Sequence, residues 1–143
     1  MSGTRAKTIR ADIAAALSGV TLDPAARSSD KLTFLDVPRL PESARDRSFR
    51  VIVAAPPHLD DTLSGSMFRV EFTIEIFYAL GPGIEDRICD DTERFWWALN
   101  TLQAVNADVQ LPEPSTFGVE ETPNNYIVRI GVVVRYRVSD SIL

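Results

Sequence analysis

One cysteine, Cys89, and one histidine, His58, are the only thiol and the only imidazole in 143 residues. A lone cysteine cannot close an internal disulfide, and its solitude suits a reducing compartment. Long apolar runs are missing as well. Nothing approaches the roughly 18 consecutive apolar residues of a membrane span, and Asp12 interrupts the N-terminal apolar stretch, so neither a membrane helix nor a leader peptide is expected. Cations are the minority: 15 Lys and Arg stand against 20 Asp and Glu, a formal charge of −5. Such a balance works against tight binding of nucleic acid, which depends on clustered Lys and Arg displacing counterions from phosphate. With 7 glycines and 9 prolines the chain is not of low complexity, and its 45% hydrophobic content is that of a globular protein. A chain of this length builds one domain with an adequate core. Residues 1–143 are therefore read as a single unit made in the cytoplasm.

What is present is patterned. Ile9, Ile13, Leu17 and Val20 recur at helical spacing and Gly19 is placed to cap them, which predicts a helix from Thr4 to Ser18. A loop over about 21–47 follows, rich in proline and charge, with Leu32–Leu35 as a short strand candidate. Arg50–Ala54 reads as a strand closed by Pro56 and Pro57, which cannot donate to a ladder. Phe68, Val70, Phe72, Ile74, Ile76 and Tyr78 alternate with Arg69, Glu71, Thr73 and Glu75, the period of a strand with one buried face. Gly81-Pro82-Gly83 ends it, and Ile84, Ile88, Phe95, Leu99 and Leu102 mark a second helix reaching about Gln103. Thr116–Glu121 is a further strand, and Pro123-Asn124-Asn125 turns into the last one.

That last strand, Tyr126–Val138, places Tyr126, Val128, Ile130, Val132, Val134, Tyr136 and Val138 on one face and Arg129, Arg135 and Arg137 on the other. Its thirteen residues extend for roughly 43 Å, against a diameter of around 37 Å for a domain of this size. It is expected either to bend, for which Gly131 offers a site, or to project toward a neighbour. The fold class is α+β: a mostly antiparallel four-stranded sheet in the order helix-strand-strand-helix-strand-strand, with both helices packed on one face.

Candidate chemistry is thin. His58 with Asp60 and Asp61 lacks a second histidine or a nearby cysteine, so a solvated loop explains it better than a metal site. Cys89 has no histidine at nucleophile spacing and reads as a small packing residue. Gly81-Pro82-Gly83 precedes a helix, yet the third glycine of a dinucleotide fingerprint is absent and proline removes a donor. Asp86, Asp90 and Asp91 read as a solvated helix face, with Asp90 four residues before Arg94. No catalytic residue, cofactor or metal is assigned. Interface roles fall instead on Arg69, Glu71 and Glu75, on Arg129, Arg135 and Arg137 opposite them, and on one of Trp96 and Trp97. Adjacent on a helix and about 100° apart, the two indoles cannot share the centre of one narrow apolar stripe; a broad buried face that holds both is the alternative.

Three segments carry a family resemblance: FRVEFTIEIFYALGPG, IEDRICDDTERFWWALNTL and YIVRIGVVVRYRV, within a stretch from about Phe49 to Val138. In order and residue type the chain resembles the tail terminator, or tail completion, proteins of long-tailed bacteriophages. The resemblance implies a virion protein forming a hexameric ring at the head-proximal end of the tail. Such a ring stops polymerisation of the tube protein and offers a surface for the head-completion or neck protein. DNA passes through it without specific binding. A neck or head-closure component is the alternative, and a small-ligand-binding α+β domain a more distant one.

Overall fold

The computed structural model describes residues 5–18, 32–35, 46–59, 67–102, 106 and 108–137. Its elements are α1 (Ala6–Ser18), β1 (Thr33–Phe34), β2 (Ser48–Leu59), β3 (Met67–Ala79), α2 (Ile84–Asn100), β4 (Glu113–Glu121) and β5 (Asn125–Arg137). The expected α+β class and the expected helices are present; Gly19 and most of the 21–47 loop lie outside the described residues.

Alternating side chains make β3 and β5 the centre of the sheet. They pair antiparallel from Met67↔Arg137 to Ala79↔Asn125, so every described residue of β5 is matched. Both strands turn their apolar sets to one side, where Phe72, Ile74, Val132 and Val134 meet Ile9, Ile13 and Leu17 of α1 and Phe95 and Leu99 of α2 in one core. Each such side chain, fully buried, contributes about 1.5–3 kcal/mol. Both helices therefore cover the same face, as the periodicity requires.

Four strands were expected and five are found, in the order β1-β2-β3-β5-β4. The added strand is β1, which runs parallel to β2 and is held by Thr33 N–H to Arg47 O at 3.0 Å and Leu35 N–H to Phe49 O at 2.7 Å. Arg47, which supplies one of these acceptors, is a non-glycine residue at φ 57. Such backbone is sparsely populated and persists where neighbours over-determine it. The first long strand also outruns its expected end. β2 continues through Pro56 and Pro57 to Leu59, with register shifts between Val53 and Ala55 and between Ala55 and His58. An edge strand tolerates prolines because an N–H on its outer side has no ladder partner to lose.

β5 is an interior strand, so within residues 125–137 it does not project toward a neighbour. Nor does Gly131 serve as a bend. It lies opposite the irregularity in β4 between Pro114 and Phe117. A Cβ there would collide with the Ser115 and Thr116 hydroxyls and come within 2.9 Å of the Thr116 backbone nitrogen. Glycine thus makes room for the neighbouring strand's bulge.

Candidate assembly interface

The sheet face away from the helices carries the charged residues, and register decides how they pair. Arg50, Glu75 and Arg129 are directly opposed on β2, β3 and β5. Glu75 is 3% exposed; one oxygen takes Arg50 Nε, and Oε2 accepts Arg129 Nε at 2.7 Å. Arg129 Nη2 then reaches Glu120 Oε2 on β4 at 2.8 Å. The row Arg50–Glu75–Arg129–Glu120 crosses four strands with alternating sign. Hydrogen bonding to Glu120, with a further contribution from Glu75, raises the Arg129 pKa above its usual value.

The remaining expected cross-strand pairs do not form as opposites. Arg69 faces Arg135, a like-charge register pair. Each turns to a carboxylate elsewhere: Arg69 Nη2 to Glu71 at 2.7 Å along its own strand, Arg135 Nη1 to Glu113 of β4 at 2.8 Å. Arg137 is exposed opposite Met67, and its backbone N–H donates to Asp108 O at 2.9 Å. This face also has an apolar end, where Phe77 and Ile127 are buried against Leu35.

The two tryptophans divide. Trp96 is half-buried against the core and meets Phe95 edge-on at 5.2 Å, whereas Trp97 is 74% exposed. On β4, Phe117 is 62% and Val119 50% exposed although both point to the helix side, register partners of the buried Ile130 and Val128. The helices do not reach that far across the sheet. Among the described residues β4 is also the sheet's outermost strand, with no strand paired to its outer backbone groups.

The other edge is closed by small devices. β1 occupies the start of β2, and Arg10 Nε donates to Val51 O at 3.0 Å. By strand parity that carbonyl points outward, as does Phe49 O two residues earlier. Beyond it stand the bulges and the two prolines.

Asp91 is not on a solvated face. It is fully buried under α2, where Oδ2 accepts Tyr78 O–H at 3.0 Å and Arg47 Nε at 3.2 Å, while Oδ1 has no partner. Burial raises the Asp91 pKa and Arg47 opposes that rise. Burial also pushes the Tyr78 phenol far above its ordinary value, with the Asp91 charge adding to the effect. Arg87 pairs with Asp46, and Asp46 Oδ1 accepts Ala79 N–H at 2.8 Å. Asp46, Arg47, Arg87 and Asp91 form a charge-balanced clamp between α2 and the β2–β3 end of the sheet. The signal for Asp91 was its position four residues before Phe95, on the apolar stripe.

Asp86 and Asp90 are exposed as expected, but so is Cys89, which does not pack. His58 is exposed on β2 with Nδ1 2.9 Å from Pro56 O; Asp60 and Asp61 lie outside the described residues. Gly83, at φ 79, ends the turn before α2. The adjoining depression of about 460 Å³ is ringed by Glu85, Asp86 and Glu121, a lining that repels phosphate. Among the described residues no helix is long and apolar enough to cross a membrane. No protein-family model matches the chain, and no curated protein matches its sequence.

Proposed function

We propose that the chain is a structural virion protein that assembles as a ring, a hexamer in the resemblance, at the head-proximal end of a phage tail. There it ends tube polymerisation and receives the head-completion or neck protein. The observation that carries an assembly role is the open β4 edge. A nine-residue outer strand with Phe117 and Val119 uncovered beside unpaired backbone offers both hydrogen bonds and apolar area to another chain.

The charged sheet face supports passage of DNA without retention. Arg50, Arg69, Arg129 and Arg135 each bond a glutamate of the same chain. A guanidinium already neutralised by carboxylate releases few counterions from phosphate. The net acidic composition acts in the same direction.

Static light scattering and negative-stain imaging, of the chain alone and mixed with isolated tail tubes, test this reading. Rings in solution, or rings seated on one end of the tube, are expected. A strict monomer that also ignores the tubes overturns it. In a phage lacking the gene, tails of uncontrolled length or without heads are expected, whereas tailless heads would favour the neck position.

A further inference from the structure

Trp97 ends a stripe on the outward side of α2. Asp86, Asp90, Glu93 and Trp97, spaced four, three and four residues apart, are all exposed, whereas Phe95 and Leu99 face the core. After three acids the stripe thus ends in an indole 74% exposed, a large apolar body with a polar N–H. Trp is also the residue type that most often dominates an interface.

A matching recess lies beside the other helix, α1. Between α1 and β1 an apolar groove of about 370 Å³ is lined by Arg10, Ala11, Ala14, Ala15, Ser18 and Phe34. The alanines leave room for close approach, and Arg10 stands over the Phe34 ring at 5.8 Å. Lys7, exposed, lies one turn before Ala11 on the same side of α1. The two surfaces share one spacing. Counting back from Trp97, Glu93 is at four residues and Asp90 at seven; counting back from Ala14, Arg10 is at four and Lys7 at seven. Two helices of equal pitch laid side by side in the same direction, with Trp97 at Ala14, therefore bring Glu93 to Arg10 and Asp90 to Lys7. Arg10 is engaged within its own chain, Nε donating to Val51 O among other interactions, and contributes its positive charge to the junction.

We infer that a second copy of this chain inserts Trp97 into the α1–β1 groove, with Glu93 and Asp90 set against Arg10 and Lys7. The inference rests on the assembly reading above and names its surfaces. Because stripe and groove are different patches, the contact is head-to-tail, the kind that closes rings.

The test uses the full chain in a light-scattering concentration series, with thermal melts as a folding control. Trp97→Ala and Ala11→Glu, both at exposed positions, should each raise the concentration for half-assembly by roughly tenfold or more. Mixed one to one, they should form dimers and nothing larger, since only one good junction is possible between them. Lys7→Glu should weaken assembly, and adding Asp90→Lys in the same chain should restore it. Wild-type-like assembly of the Trp97 and Ala11 variants overturns the inference and leaves the assembly reading standing. So does a wild-type monomer that still seats on tail tubes. A monomer that ignores the tubes overturns both.

Discussion

Glu75 and Arg129 are register partners on β3 and β5, and Glu75 Oε2 accepts Arg129 Nε at 2.7 Å while the other oxygen is held by Arg50. A carboxylate this deeply covered is tolerable only between two cations. Glu75→Ala takes from Arg50 its carboxylate and leaves Arg129 with Glu120 alone, and is expected to cost about 2–3 kcal/mol in urea denaturation. Arg129→Ala should cost about 1 kcal/mol, because its side chain is 36% exposed and Arg50 remains.

Asp91 gives a pH signature. Its folded pKa is raised, so between the ordinary aspartate value near 4 and that higher value the native state holds more protons than the unfolded one. The Asp91 contribution to stability is therefore fully present below the ordinary value and declines as pH rises through the folded one. Asp91→Asn should remove this downward slope from a series of denaturation curves. Asp91→Ala should cost about 3 kcal/mol at neutral pH, leaving Tyr78 O–H and Arg47 without their acceptor.

Gly131→Ala places a methyl where the Ser115 and Thr116 hydroxyls already are. Repair needs movement of β4 backbone, and the expected loss is about 1–3 kcal/mol in the same assay. Gly118→Ala, with nothing within 4 Å, should fall within about 0.5 kcal/mol of wild type.

Arg135→Glu separates folding from assembly. It breaks the exposed bond to Glu113 but puts a carboxylate directly across from Arg69. Melting should move by less than about 1 kcal/mol equivalent. If this face meets a neighbouring subunit, light scattering should show a much larger loss of oligomer; equal loss in both would mark the arginine as purely intramolecular.

Phe117→Ser removes an exposed aromatic and should leave stability within about 0.5 kcal/mol. Cosedimentation with tail tubes or with preassembled rings is expected to fall, because the open edge loses its largest apolar contact.

The sequence showed the helix-covered face of β3 and β5 residue by residue, because that side imposes period two on the apolar residues from Phe68 to Tyr78 and from Tyr126 to Tyr136, but not that Glu75, Phe77, Ile127 and Val133 are buried on the other face. It marked Leu32–Leu35 as a strand candidate but not its partner, since Thr33 and Phe34 are a strand only through acceptors supplied by Arg47 and Phe49. It hid register. Alternation says that Arg69 and Arg135 share a face but not that they stand opposite one another, which no local turn sets because α2 and β4 lie between the two strands in the chain. For Asp91 the residue type outweighed its place on the apolar stripe. A buried carboxylate becomes sensible only once Tyr78 and Arg47, distant in the chain, are seen beside it. The exposure of Trp97 was legible only as one of two readings, a narrow apolar stripe that holds one indole or a broad face that holds both, and the narrow stripe is what the fold has.

The two borders of the sheet are chemically unequal. At β2, the β1 pairing, the Arg10 cap on Val51, the bulges and two prolines leave little ladder to copy, while among the described residues β4 has no strand on its outer side. A strand joining at β4 therefore meets no matching vacancy at the far border of the same subunit. Sheet extension can begin on this molecule from one direction only and cannot be relayed across it.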